Sequence, residues 1–121
     1  RGYSNGISAQ GRMVFVAGQI GWNSECVFET DLFWEQTRQA FFNTVEVLSA
    51  AEAKPEHIVR MTWFITSRKE YLEQQKEIGK AYREIIGKHY PAMSVLVVSE
   101  LIEEAAKVEI ETTAVIPEVS R

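Results

Sequence analysis

Hydrophobic and polar residues follow one another in this chain with a period that changes several times. Two short apolar runs within residues 7–18 are separated by Gln10-Gly11, and this pattern predicts a tight β-hairpin. The second run, residues 13–17, is apolar at every position, which favours an interior strand. It ends at Gly18-Gln19-Ile20-Gly21, where two glycines permit another part of the chain to come close.

From about residue 31 the period becomes helical. Apolar and aromatic side chains recur every three or four positions from Trp34 to Leu48, which predicts an amphipathic helix that ends before Pro55. Residues 57–66 are rich in β-branched and aromatic side chains and predict a strand.

A second helix follows that strand. Ser67 and Glu70 have the spacing of a capping box at its start, and Gly87 marks its end. Residues 92–99 and 105–116 then predict two more strands. The order hairpin, helix, strand, helix, strand, strand indicates a single α+β domain spanning residues 1–121, with a mixed sheet and both helices on one face.

Composition narrows the classes of function. Thirteen basic and seventeen acidic residues give a net charge of −4, which argues against nucleic acid as the main partner. A single cysteine, Cys26, excludes an internal disulfide, and no apolar run is long enough to predict a membrane span. We therefore expect a small cytoplasmic domain. Because 121 residues leave few to enclose a deep pocket, a site between subunits is also expected.

The last strand carries the most informative polar pattern. Alternation places Val108 and Ile110 on one face and Glu109 and Glu111 on the other. One interpretation is a strand with a solvated face, and the other is a carboxylate placed at a subunit seam for acid–base chemistry. The two histidines have no Asp or Cys at metal-ligand spacing, so no metal site is predicted.

Six segments form a recognisable set by their order and separations: Tyr3-Ser4, residues 14–20, Gln36-Thr37 with Asn43, residues 59–62, residues 90–94 and residues 108–111. Together they resemble the Rid family, also called the YjgF or reactive intermediate deaminase family. The resemblance implies a chorismate-mutase-like fold, a homotrimer, and small-molecule sites in three clefts between subunits. It also implies hydrolysis of reactive enamines and imines, such as 2-aminoacrylate, to a 2-keto acid and ammonia, without metal or cofactor.

The same resemblance assigns roles to individual residues. Glu109 takes the place of the glutamate that positions or activates water in active members of the family. The substrate-binding residues that it implies are Tyr3, Gly18, Gln19, Met93 and Ser94.

Met93 marks the main departure from the family pattern, because active members have an arginine there that holds the substrate carboxylate in a two-pronged salt bridge. A thioether forms no such pair. Arg12, Arg60 and Arg68 are candidates to replace the lost cation. The family's asparagine on the second helix corresponds to Gln75 or Gly79, depending on a difference in loop length.

Three functions stay open on this basis. The first is hydrolysis of a small imine, enamine or related nitrogen compound that depends on Glu109. The second is a non-catalytic protein that binds a metabolite or a partner in a cleft made more apolar by Met93. The third is a deaminase of the 2-aminomuconate type, with Trp22 and Met93 lining a cleft for a longer substrate.

Overall fold

Residues 2–118, which the computed structural model describes, alternate between strands and helices. A short 3-10 turn, Pro55–His57, precedes the second strand. The elements in chain order are β1 (Arg12–Ile20), α1 (Phe33–Ala50), β2 (Ile58–Ile65), α2 (Arg68–Glu73), α3 (Gln75–Ile85), β3 (Ala92–Val97) and β4 (Val108–Ile116).

The four strands form one mixed sheet in the order β1-β4-β2-β3. Strand β4 runs antiparallel to both β1 and β2, whereas β2 and β3 are parallel and are joined through α2 and α3. A parallel pair needs such a crossover connection, and a helical one covers the sheet. The predicted α+β class, with a mixed sheet and the helices on one face, is confirmed.

The core lies between that sheet and the helices. Val108 and Ile110 are completely buried, as their alternation with the two glutamates predicts. Phe41 of α1 lies edge-on to both Trp63 and Tyr82, with ring centroids 5.5 Å apart in each pair. These aromatic contacts hold α1 and α3 against the middle of the sheet.

The predicted hairpin is wrong, because residues 7–10 form no strand. Ser4 pairs with Ala92 of β3, so the start of the described chain is tied to the sheet edge farthest from β1. The two edges lie three strand spacings apart, about 14 Å. Residues 5–11 therefore cross the sheet instead of running beside β1. Gly11, with φ +145°, enters β1 against Ile116, whose carbonyl oxygen a Cβ would approach to 2.0 Å.

Strand β1 is an edge strand, which corrects the prediction of an interior one. Val14 and Val16 face the core, but Met13 and Phe15 point to the side of the sheet without helices and are 55% and 71% exposed. We call this side the open face. The uniformly apolar sequence thus reflects two faces that both carry hydrophobic side chains, one covered by helices and one uncovered in the single chain.

The predicted second helix is divided in two at Gln74. Its start is as expected, because the Ser67 hydroxyl accepts a hydrogen bond from the Glu70 N–H at 3.1 Å. The Gln74 side-chain oxygen accepts from the backbone N–H of Trp34, which satisfies a free donor at the start of α1. Gly87, with φ +104°, follows the end of α3, as the sequence indicates.

Candidate functional site

A β-bulge breaks the regular pairing of β1 with β4. Val16 lies opposite Thr112 and Gln19 lies opposite Ile110, so between these pairs β1 contains one more residue than β4. The extra residue falls at Ala17-Gly18. Bulges redirect the chain locally and change where the neighbouring side chains point.

The carboxylate of Glu109 lies directly over Gly18 at this bulge. A Cβ on Gly18 would be 2.5 Å from Oε2 and 2.6 Å from the carboxyl carbon of Glu109, so only glycine leaves room for this side-chain position. Glu109 is half-buried, and its carboxylate forms no hydrogen bond or ion pair within residues 2–118. Its oxygens therefore stay free to accept protons or hydrogen bonds from a ligand.

Gln19 completes this end of the sheet. Its side-chain nitrogen donates to the carbonyl of Ala17 at 3.1 Å, which turns the amide back along its own strand. Gly18, Gln19 and Glu109, all proposed as site residues from the sequence, are thus brought together. We call them the Glu109 corner.

A second group forms where the N-terminal segment meets β3. The backbone N–H of Ser4 donates to the Pro91 carbonyl at 2.9 Å, and its hydroxyl donates to the Tyr90 carbonyl at 2.6 Å. These bonds place Tyr3 beside the first residues of β3, close in the chain to Met93 and Ser94. The predicted residues therefore fall into two groups, one at each end of the strand order.

Met93 and Ser94 point to opposite faces of β3. Met93 packs against the core on the helix side, whereas Ser94 is exposed on the open face. Within one chain they do not line the same cleft. The structure thus separates two residues that the sequence places side by side.

Met93 lines a cavity of about 460 Å³ between α3 and β3, which we call the α3 cavity. Its wall contains four aromatic rings and one cation, namely Trp63, Tyr71, Tyr82, Tyr90 and Arg83. Tyr82 and Tyr90 are stacked, with centroids 5.4 Å apart and planes 12° from parallel. The Trp63 ring is almost fully buried, and its indole nitrogen has no hydrogen-bond partner within the described part of the chain.

Tyr82 is held as a neutral phenol in this wall. Its hydroxyl donates to the His89 carbonyl, and the side chain is 5% exposed. Burial, and secondarily the neighbouring Tyr90, raises the pKa of Tyr82 above its usual value. Arg83 is therefore the charged group of the cavity wall at neutral pH.

A single chain does not bring the α3 cavity to the Glu109 corner. Strand β2 separates β3 from β4, which is a distance of two strand spacings, about 10 Å. Met93 also lies opposite Met61, whereas Glu109 lies opposite Phe64, three residues further along β2. The helix-side cavity and the open-face carboxylate are therefore two separate features within residues 2–118.

None of the three arginines suggested by the sequence lines the α3 cavity. Arg12 donates to the Ala51 carbonyl at 2.8 Å, Arg60 lines a groove on the open face, and Arg68 is exposed on α2. Sequence reasoning missed Arg83. The available signal was helical spacing, because Arg83 lies one turn after Gly79 on the segment where the family's asparagine was sought.

No helix in the described residues is long and apolar enough to cross a membrane. Nor does any group of three or more His, Cys, Asp or Glu side chains in residues 2–118 come close enough to hold a metal ion.

Known proteins resemble this chain over nearly its whole length. A family model described as endoribonuclease L-PSP matches residues 1–116. A crystal structure of a conserved Rid-family protein, YyfB from Yersinia pestis, covers 95% of this chain and 87% of its own, with a TM-score of 0.82 and 28% identity. The chain belongs to the Rid (YjgF) family.

Three named relatives are similar to this chain over most of its length. A RutC family protein of Aquifex aeolicus is 35% identical over 113 residues, which span 93% of this chain and 87% of that protein. A 2-iminobutanoate/2-iminopropanoate deaminase of Dermatophagoides farinae is 32% identical over 117 residues, or 94% and 85% of the two chains. The Escherichia coli TdcF structure with bound serine has a TM-score of 0.73 at 30% identity, and covers 94% of this chain and 87% of its own.

Proposed function

We propose that this Rid-family protein hydrolyses a reactive imine or enamine of a carboxylic acid to a keto acid and ammonia. The observation that carries the proposal is the Glu109 carboxylate, half-buried over Gly18 and free of partners within residues 2–118. A carboxylate so placed is suited to accept a proton from water. The iminobutanoate and iminopropanoate deaminase relative supports this reaction class.

Glu109 acts in this proposal as the general base. Water adds to the imine carbon and gives up a proton to the carboxylate of Glu109. The carboxyl group passes this proton to the nitrogen, which gives a carbinolamine with one hydroxyl and one amino group on the same carbon. The hydroxyl proton then moves to the amino group through the same carboxylate, the carbon–nitrogen bond breaks, and ammonia leaves as the keto group forms. Every atom of the water is accounted for, and the step requires no metal or cofactor.

The second half of the site comes, in this proposal, from another copy of the chain. Met93 of the α3 cavity and Glu109 lie on strands two spacings apart, about 10 Å, and face opposite sides of the sheet, so one chain does not apply both to one small substrate. The open face offers exposed Phe15 and Met13 for such a contact. We therefore propose a homotrimer with three shared clefts, each receiving Glu109 from one chain and Tyr3 and Met93 from the next, whereas Ser94, on the opposite face of β3 from Met93, lies outside that cleft.

RNA cleavage, which the description of the family model names, has less support. The chain carries a net charge of −4, and on the open face Glu111 lines the same groove as Arg60. A phosphate backbone is bound by an excess of basic side chains.

Met93 favours a second candidate function, namely non-catalytic binding of a small metabolite. A methionine facing Trp63 and Tyr82 gives the α3 cavity a polarizable apolar surface in place of a charge. Under this alternative, small carboxylates stabilise the protein against heat but are not turned over. Measuring ammonia release from an imine substrate distinguishes the two functions.

The test measures ammonia and pyruvate released from 2-iminopropionate generated in situ. The proposal expects acceleration above buffer that Glu109→Gln reduces about a hundredfold or more, the size of a general-base contribution. Glu111→Gln is the matched control, because Glu111 lies two residues further on the same face and is exposed. No acceleration by the parent protein, with an active Rid protein run in parallel, would leave the binding function. Equal loss in both variants would contradict a specific role for Glu109.

A further inference from the structure

Arg83 is placed over a gap in its own helix. Gly79 lies one turn earlier on α3, and a Cβ at that position would be 3.2 Å from the guanidinium nitrogen Nη1 of Arg83. Gly79 and Arg83 both line the α3 cavity, so the guanidinium lies at its wall. An alanine at position 79 would require the guanidinium to shift by only a few tenths of an ångström.

The charge of Arg83 is not neutralised within residues 2–118. Its neighbours three and four positions away are Gly79 and Lys80 on α3 and Ile86 and Gly87 just after the helix, and none of them is acidic. No hydrogen bond or ion pair joins Arg83 to any described residue, and no carboxylate lines the cavity. Glu84, the next residue, is 4.0 Å from Arg38 instead. The five donors of the guanidinium are thus available to an anion, and a carboxylate accepts two of them in parallel.

The remaining wall suits a flat molecule. Tyr82 and Tyr90 stack on each other, Trp63 and Tyr71 meet edge to face, and Met93 adds a polarizable surface. Trp63 and Tyr82 are almost fully buried and hold the wall in place, so the half-buried Tyr71, Tyr90 and Met93 supply the surface that a flat conjugated group would contact. A volume of about 460 Å³ falls in the range that holds drug-sized ligands, so a three-carbon acid would leave much of it unfilled.

We infer that the α3 cavity binds the substrate carboxylate through Arg83 and selects acids with an aromatic or conjugated planar body. This inference rests on the proposed function in one respect, since it takes the cavity as half of the same site. It moves the carboxylate-binding cation from the start of β3, where Met93 stands, to the last turn of α3. The specificity-determining residue is then Arg83.

Calorimetric titration with three matched probes tests the inference. Benzoate is flat and charged, benzamide is flat and neutral, and cyclohexanecarboxylate is charged but not flat. We expect benzoate to bind the parent protein at least tenfold more tightly than either of the others, the scale of one charge-assisted hydrogen bond at a partly exposed site. Absence of benzoate binding, or equal affinity for benzamide, overturns the role of charge. Equal affinity for cyclohexanecarboxylate overturns the selection for flat bodies.

Arg83→Gln identifies the cation. Benzoate affinity should fall about tenfold or more in this variant, whereas Arg68→Gln, which removes an exposed arginine on α2 outside the cavity, should change it less than twofold. Both side chains are exposed, so thermal melting is expected to show folded proteins in each case. Equal affinities in the parent protein and Arg83→Gln would overturn the inference.

The outcome for the proposed function is separate. Loss of benzoate binding in Arg83→Gln, in a protein that shows no imine hydrolysis, supports this site and contradicts the enzyme. Conversely, hydrolysis that depends on Glu109 but has the same KM in Arg83→Gln supports the enzyme and contradicts this site.

Discussion

Replacing Gly18 by alanine tests the position of the Glu109 carboxylate with the smallest possible change. The new Cβ would lie 2.5 Å from Oε2, whereas ordinary contacts of this kind begin near 3.4 Å, so the carboxylate must withdraw by about 1 Å. The crowded atoms belong to a side chain and not to backbone. The φ of Gly18 also lies outside the left-handed region, so alanine adopts the native backbone without strain.

Stability and activity should therefore separate in this variant. Alanine restricts the unfolded chain more than glycine does, so the free energy of unfolding is expected to stay level or to rise by up to about 1 kcal/mol. A catalytic group displaced by about 1 Å costs on the order of a hundredfold in rate. We expect Gly18→Ala to release ammonia from 2-iminopropionate about a hundredfold more slowly than the parent, with an unchanged or slightly higher melting temperature.

Two controls make the result decisive. Gly6→Ala adds the same methyl group where nothing lies within 4 Å, and its activity should equal that of the parent. In a Glu109→Gln background Gly18→Ala should cost almost nothing further, because the two changes act on one group. A folded Gly18→Ala variant with full activity would refute the reasoning, as would additive losses in the double variant.

Two other predictions concern assembly and alkaline stability. Phe15 is 71% exposed on the open face and should be buried in the proposed trimer. Phe15→Glu is therefore expected to reduce the mass measured by light scattering from about three times 13.8 kDa to that of a single chain. A variant that stays trimeric would contradict this interface. The pKa of Tyr82 is raised in the folded protein, so above about pH 10, the ordinary pKa of tyrosine, this side chain ionises more readily in the unfolded chain than in the folded one. Its contribution to stability is therefore fully present below about pH 10 and falls as the pH rises further. Tyr82→Phe should therefore lose less stability than the parent between pH 9 and pH 11 in urea unfolding, and parallel curves would contradict the assignment.

The sequence predicted those features that local periodicity encodes. The alternation of Val108 and Ile110 with two glutamates correctly oriented β4, and Gly87 correctly marked the end of α3. The hairpin before β1 was wrong because its formation depended on where Ser4 would pair, and that partner lies 88 residues away in β3. Edge position is a property of the whole sheet, so an apolar run such as residues 13–17 does not distinguish an interior strand from an edge strand with a second hydrophobic face.

The candidate site was predictable only in part, for a related reason. Family resemblance supplied Gly18 and Glu109, and the structure adds the contact between them that makes this glycine necessary. The resemblance did not indicate Arg83, because it assigns roles only to positions that match the family's motifs. A cation that is lost at one of those positions can be replaced by one on any element that faces the same cavity. Arg12, Arg60 and Arg68 do not line the α3 cavity of the single chain, and their reach toward a cleft between chains stays a prediction.

The order of strands in the sheet explains why the Glu109 corner and the α3 cavity are separate in one chain. In the order β1-β4-β2-β3, the Glu109 corner and the first residues of β3 are separated by β2 in every chain with this topology. Changes of side chain do not shorten that distance, because it is set by strand spacing. A site that uses both halves therefore needs a second copy, and the cation on the helix side and the carboxylate on the open face come from different chains. Within such a cleft, a cation on α3 serves as well as one on β3, provided that its guanidinium reaches the same cavity, and Arg83 lines the cavity that Met93 also lines.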